Sequence, residues 1–433
     1  MRTLYLFRRD LRIYDNRALF QAYKDSEKIF AIYIFNKNYF KYREIDLNHK
    51  FTIFILNILK EINKKIRIHV FFGNIKEILA NIFSKYKIDA LYFSDSLSWF
   101  EEKENKEIEE ICKEYKVKCR KFFDNFLTDP RKFKPTYNFS NFYKRWLKDV
   151  DSNILPEIKN DKFSELDELN IYEFMKKFNL IDYDEEHIKF EWLEKRKREF
   201  IFENYNKFKD YPGIDGTSKL SHFINVGAIS IRELYNIAKD KSNEFIRQLS
   251  WREYYYSIRF WYPWMKNLEI KKKMRNIKWE NDMYFIKSFF EGKTGYPIVD
   301  AGIKQLKQEG WIHNRVRLIL ANFLVKDLLV DWRIGEKFFR KYLIDYDEVL
   351  NVGNWQWCAS VGIDPLPLRL FNPIVQAKKY DPYCKYIKKY LGELKDIDCK
   401  ALHNPIQYKI GNYIEPIVNH YEQIKKFRNL LYY

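Results

Sequence analysis

Short apolar and β-branched runs at about 3–7, 29–35, 66–72 and 88–94 alternate with segments of helical period at about 15–24, 48–65, 74–87 and 100–116. That order is βαβα, and it restricts the first 127 residues to a doubly wound α/β domain built on a parallel sheet. From Asp129-Pro130 to about Glu186 the chain turns mixed and acidic, with Pro135 and Pro156, and reads as a connector over 128–186. Beyond it strand signals fade, and helical periodicity rich in aromatic residues runs to Tyr433, so 187–433 is expected to be an all-α domain.

A doubly wound sheet commonly binds its ligand beyond the carboxyl ends of its strands. Here the first turn reads Arg8-Arg9-Asp10-Leu11-Arg12, without the glycines of a dinucleotide fingerprint. The 78 Lys and Arg against 60 Asp and Glu leave a net charge of +18. Residues 149–186 alone hold 12 acidic and 4 basic side chains, a net of −8, so the remainder carries +26. Such a surplus suits a polyanion such as nucleic acid, though a composition rich in Lys, Ile, Asn and Tyr throughout would also produce it. The five cysteines form no CxxC pair, which points to reduced thiols, no metal centre and a cytoplasmic protein. Met1 to Arg12 carries Arg8, Arg9, Asp10 and Arg12 where a signal peptide would be apolar, and Lys326 and Asp327 interrupt the apolar run near 318–330. Neither export nor a membrane span is expected.

Three segments concentrate chemistry. Thr217-Ser218-Lys219-Leu220-Ser221 follows a turn-rich stretch and precedes a helical one, offering hydroxyls, backbone N–H groups and a cation to a pyrophosphate. A plain helix N-cap is the alternative. In the segment 248–255, helical spacing puts Gln248, Trp251, Arg252 and Tyr255 on one face, which suits stacking on bases beside phosphates or else a buried structural cluster. In the segment 351–357, Asn351 and Trp355 share a face while Trp357 points nearly the opposite way, so the helix can serve two sites. Upstream, Asn314, Arg317 and Leu318 lie along one side of a helix, and a buried Arg317 would need Asp345 or Asp347 as its counter-ion.

Taken in order, Leu6–Arg12, Thr217–Ser221, Trp251-Arg252-Glu253, Gly295–Asp300, Trp311–Arg315 and Trp355-Gln356-Trp357 resemble the photolyase and cryptochrome family, most closely its class I cyclobutane pyrimidine dimer photolyases. The resemblance implies an α/β antenna domain at 1–127 and a helical, FAD-binding catalytic domain at 187–433. It implies that Tyr205 and Thr217, Ser218, Lys219, Leu220 and Ser221 hold the FAD ribose and phosphates. Arg317 and Asp345 look like the ion pair beside the flavin ring, Asp347 like its neighbour, and Asn351 like the amide facing flavin N5. Trp355, Trp332 and Trp279 fall where the family keeps a chain of tryptophans that carries an electron to photoexcited flavin. Trp251 and Trp357 resemble the walls that receive a flipped pyrimidine dimer, with Lys209, Arg252, Arg315 and Arg369 on the phosphates of UV-damaged DNA.

The family's (6-4) enzymes place His where Asn314 and Leu318 stand, so the lesion implied here is the cyclobutane dimer, with Asn314 in both the flavin-side and the DNA-side sets. Gln248 replaces the usual Glu, keeping a hydrogen bond to a pyrimidine edge but no carboxyl group. The implied reaction is electron transfer from photoexcited reduced FAD to the dimer, with the electron returned. The alternative is a blue-light photoreceptor of cryptochrome type without repair. A second chromophore is expected in the α/β domain, as a second flavin, a deazaflavin or a folate; Glu101 aligns there without selecting one. The family match is expected to run to about Leu391, and a monomer is the family's common state.

Overall fold

The structure, a computed structural model, describes residues 1–180, 185–366 and 368–432. Two compact units interleave along the chain. One comprises Met1–Phe133, Tyr143–Phe200 and Ser218–Tyr256; the other comprises Lys134–Phe142, Ile201–Thr217 and Ser257–Tyr433. Compactness thus groups the segments 187–200 and 218–256 with the sheet, whereas composition divides the chain at 127 and 186. Part of the acidic connector, residues 181–184, lies outside the described residues.

The first unit is built on five parallel strands: β1 (Arg2–Phe7), β2 (Lys28–Asn36), β3 (Ile68–Gly73), β4 (Ala90–Asp95) and β5 (Lys118–Phe123), in the order β3-β2-β1-β4-β5. The expected α/β class and its four strands are all present. Central strands β1 and β2 are buried almost throughout, as the near-continuous apolar runs of a sheet covered on both faces require. The sequence reading omitted β5, whose KCRKFF carries three cations, as an edge strand bonded to β4 alone can. Also omitted was the short helix Lys37–Arg43, which starts directly on the end of β2 with Asn36 as its N-cap. Leu4, Leu6, Ile32, Leu79, Leu91, Phe93 and Ile108 form the centre of the core between sheet and helices.

Buried charges tie this unit together. Arg232, fully buried, meets Asp15 at 2.8 Å and Asp124 at 2.7 Å, and Arg12 reaches the same Asp124 at 3.1 Å. The carboxylate of Glu253 accepts from the backbone N–H of Leu127 (2.5 Å) and Thr128 (3.0 Å), the Thr128 hydroxyl (2.8 Å) and the Trp146 indole (2.7 Å). Burial pushes that carboxyl group above the usual carboxylate range.

The second unit is helical among its described residues, as expected for the chain's later part. The motif 295–300 proves architectural: Asp300, buried, accepts from Thr294 and Gly295 N–H groups and from the Thr294 and Tyr413 hydroxyls. Helices Trp332–Tyr342 and Glu348–Cys358 pack tightly, because Gly335 leaves room for an indole: a Cβ there would lie 2.1 Å from Trp355. A π-helical turn, Phe323–Asp327, carries Lys326 and Asp327 into the interior, each 1% exposed.

Candidate functional site

In the first unit, the sheet order changes direction at β1 and β4, where such folds take ligands. The groups beyond those strand ends are already engaged with one another. Arg8 is ion-paired with Glu104 and donates to Asn105, Asn105 donates to Asp95 at 2.7 Å, and Arg9 stands 3.6 Å from Glu101. A charged, self-paired turn stands where a dinucleotide-binding fold would have a glycine-rich one.

Helix Asn243–Trp261 places Gln248, Trp251 and Arg252 half-buried on the face that their spacing predicts, with Tyr255 buried below. Trp251 packs edge-on to Tyr254 at 5.4 Å and against Tyr255 at 6.0 Å, leaving part of the indole exposed. Gln248 donates its side-chain N–H to Glu244 at 3.0 Å. Arg252 donates to the backbone oxygen of Asn125 at 2.8 Å and lies over Phe126 and Tyr256. Helix Ser221–Val226 starts where the 217–221 run predicts, but its N-cap is Leu220 without a side-chain bond; Ser218 Oγ instead accepts from Leu220 N–H. None of the run's three hydroxyl residues is the plain N-cap that the sequence left open. Lys219 adopts φ +53°, a left-handed backbone unusual for a non-glycine residue. Thr217 ends one unit's segment and Ser218 begins the other's.

The second unit resolves the counter-ion of Arg317: its Nη2 meets Asp345 at 2.7 Å while its Nε donates to the Ile312 oxygen at 3.0 Å. Asp347 is instead the N-cap of helix Glu348–Cys358, accepting from Val349 and Leu350 at 3.0 Å each. One turn on, Asn351 donates both side-chain hydrogens to Glu336, to its main-chain oxygen at 3.0 Å and its carboxylate at 3.1 Å. Burial raises the Glu336 carboxyl group above the ordinary glutamate value. Since both partner atoms are acceptors, the amide nitrogen must face Glu336, and Oδ1 is the end left over.

Trp355 is buried against Phe339, edge to face at 4.9 Å, and Trp332 is buried on the neighbouring helix. Trp279 is partly exposed and stacks on Phe427 at 6.4 Å. Trp357 turns out of the core, half-buried between the Arg369 guanidinium (5.0 Å) and Phe371 (6.2 Å), so the helix does present its two tryptophans differently. Between them Gln356 is fully buried and saturated, bonded to Met265, Leu268 and Ile270 main-chain groups. Asn314 is exposed; Arg315 is held by Asp210 at 2.6 Å and lies over Tyr380 at 4.1 Å. Tyr205 and Lys209 are partly exposed on and beside the short helix Tyr205–Phe208.

The chemistry of this donor set fits FAD. The free Oδ1 of Asn351 can accept from the N–H that a reduced flavin carries at N5, and the Arg317–Asp345 pair offers a cation and a carboxylate to the ring's polar edge. Sequence reasoning missed Glu336, Gly335 and Glu269. Glu336 had a usable signal, since it shares the Trp332 and Phe339 face by i, i+4, i+7 spacing, where a carboxylate is out of place. Glu269, which accepts from the Trp332 indole N–H at 3.2 Å across 63 residues of sequence, had none.

The family model described as DNA photolyase matches residues 3–160, and that for the FAD-binding domain of DNA photolyase matches 245–432. The second match extends the resemblance well past Leu391. A deoxyribodipyrimidine photo-lyase of Alkalihalophilus pseudofirmus is 33% identical over 97% of this chain and 95% of its own. One from Buchnera aphidicola is 33% identical over 98% and 96%. Among solved structures, an archaeal photolyase from Sulfolobus tokodaii with two FAD molecules superposes with a TM-score of 0.87 at 33% identity, covering 99% of both chains. A Synechocystis cryptochrome shares the fold, with a TM-score of 0.87 at 23% identity. With such identity maintained over nearly the full length of its relatives, the chain belongs to the DNA photolyase family, with an FAD-binding domain at its helical end.

Proposed function

We propose that this protein repairs cyclobutane pyrimidine dimers in DNA, using light and reduced FAD. The observation that carries the reading is the orientation of Asn351 by Glu336, which leaves an acceptor for a protonated flavin N5 and so favours the reduced cofactor. Bound FAD would supply the electron that opens the cyclobutane ring and take it back, with no net redox change. The protein's part is binding and orientation. Arg317 and Asp345 hold the ring's polar edge, Tyr205, Thr217, Ser218, Lys219, Leu220 and Ser221 the ribose and phosphates, and Asp347 fixes the start of the helix that carries Asn351.

Trp357, half-exposed and backed by Arg369, offers a flat face to an extruded base, and Trp251 does so from its own helix. Gln248 retains its Oε1 for a pyrimidine N–H. Lys209, Arg252, Arg315 and Arg369 supply cations for the phosphates, supported by the +26 outside the acidic stretch. The absence of His at 314 and 318 leaves no imidazole for the acid–base work of (6-4) repair. A second chromophore in the α/β domain harvests light; the two FAD molecules held by the Sulfolobus tokodaii photolyase favour a second flavin over a deazaflavin or a folate. We place the functional domains at 1–127 for the antenna and 187–433 for catalysis, joined by 128–186, and the protein in the cytoplasm as a monomer.

The test is quantitation of thymine dimers in irradiated DNA incubated with the reduced protein in blue light and in darkness, with (6-4) products assayed in parallel. Light-dependent loss of dimers alone is expected. Loss of only (6-4) products would overturn the reading of Asn314 and Leu318, and loss of neither would favour a photoreceptor.

A further inference from the structure

Trp355, Trp332 and Trp279 differ in what their indole N–H groups can do. The Nε1–H of Trp355 is buried and meets no acceptor among the described residues. Trp332, 1% exposed, donates Nε1–H to Oε1 of Glu269 at 3.2 Å, and Glu269 is itself 3% exposed. The Arg333 guanidinium lies 4.7 Å from the centre of the Trp332 ring and donates to that same Oε1 at 2.7 Å. Arg333 also holds Asp331 at 3.0 Å and the Asn267 oxygen at 2.7 Å. An indole that loses an electron becomes a far stronger N–H acid, and a cation fixed over its ring adds to the cost of keeping the positive charge.

We propose that Glu269 accepts the Nε1 proton of Trp332 when the tryptophan chain conducts, so that the oxidising equivalent is held at Trp332 as a neutral radical. The inference rests on reading the three tryptophans as a conduit to photoexcited, oxidised flavin, the one-electron oxidant. Trp355, having given an electron toward that oxidant, is refilled by Trp332. The Trp332 N–H bond then breaks, its proton forms an O–H bond on Glu269, and the electron pair of the N–H bond stays on nitrogen. Arg333 is not stranded by this neutralisation, because Asp331 and the Asn267 oxygen still hold it. When an electron arrives from Trp279, drawn ultimately from a thiol in solution, the proton returns to Trp332. Trp355 has no acceptor to which it could release its own proton, so charge is trapped one step further from the flavin, where recombination is slower.

The test is flash photolysis of the protein carrying oxidised FAD, in a Trp279→Phe background that ends the chain at Trp332. The cation and neutral forms of the tryptophan radical differ in their visible absorption. The expected result is conversion of cation to neutral radical with a solvent deuterium isotope effect. With Glu269→Gln added, the cation should persist and recombine, and the isotope effect vanish; Glu269→Asp should restore part of the conversion. A Trp332 radical that stays cationic with Glu269 intact overturns the proposal without any change at 269. A Glu269→Gln protein with unaltered conversion and isotope effect overturns it as well, while leaving the conduit intact. Should Trp332→Phe photoreduce flavin as well as the unaltered chain, the conduit reading fails and the proposal with it.

Discussion

Glu336 determines which end of the Asn351 amide is left over, because its main-chain oxygen and its carboxylate take both side-chain hydrogens at 3.0 and 3.1 Å. Asn351→Asp would set two carboxyl groups in contact at a buried position, where only one of them can ionise. It would also remove a fixed neutral acceptor from the flavin side. The variant is expected to hold reduced FAD less well, seen as faster reoxidation in air by absorbance. Reoxidation at the unaltered rate would show that Asn351 does not set the flavin's redox state.

Arg317 and Asp345 form a pair in which the carboxylate side chain is 3% exposed and the guanidinium 25%. Removing the cation alone strands the carboxylate, a loss of about 3–5 kcal/mol for a buried pair. Arg317→Met should therefore lower the urea midpoint and the flavin content together, whereas Arg317→Met with Asp345→Asn should recover much of the stability but not the flavin. Recovery of both would remove the pair from the flavin site.

Much of this was legible in the sequence, and the omissions have physical causes. The parallel sheet announced itself because β1, β2 and β4 are buried strands written in uninterrupted apolar residues, while β5, paired along one edge, needs no such run and looked like loop. The two-sided helix at 351–357 was readable because side-chain direction in a helix follows from spacing alone. Choosing Asp345 over Asp347 for Arg317 was not readable: two carboxylates two residues apart differ only in which one caps the next helix. The Trp332–Glu269 bond joins residues 63 apart in sequence and depends wholly on tertiary packing.

Gly335 lets helices Trp332–Tyr342 and Glu348–Cys358 approach, with the Trp355 ring over its Cα. A methyl group at 2.1 Å from the ring cannot be absorbed, since Leu324 lies 2.7 Å away as well. Gly335→Ala is expected to cost about 1–3 kcal/mol, as overpacked cores do, and to displace Trp355. The check is the urea midpoint with near-ultraviolet circular dichroism; an unchanged tryptophan signal would mean that the helices separate instead.

Trp357 lies outside the core, so its loss should spare the cofactor. Stacking of a base on an aromatic side chain contributes ~1–3 kcal/mol, which sets the expected loss for Trp357→Ala at about 5- to 150-fold in affinity for a dimer-containing oligonucleotide. Flavin content should remain at the level of the unaltered protein. Loss of flavin would show that the helix does not serve two separate sites.

Lys326 gives a pH dependence whose sign follows from burial. Inside the protein its ammonium faces Asp327 from its own π-helical turn, Cys358 from the helix end, Asp364 from the loop beyond and, as a like charge, Lys271; its Nζ donates to the Arg369 oxygen and lies over Phe427. Desolvation outweighs the attractions and lowers its pKa from 10.5 to about 7. Between those values the unfolded chain keeps a proton that the folded one has released, so stability from this group rises as pH climbs through the window and is constant below it. Asp327, whose own carboxyl group burial pushes up to about 6, completes its ionisation below that window and adds nothing to the slope. Lys326→Met should flatten the alkaline rise in stability, measured as the urea midpoint from pH 7 to 10, relative to the unaltered protein. If the two profiles run parallel, the ammonium is reached by water in the folded state and the buried-lysine reading is wrong.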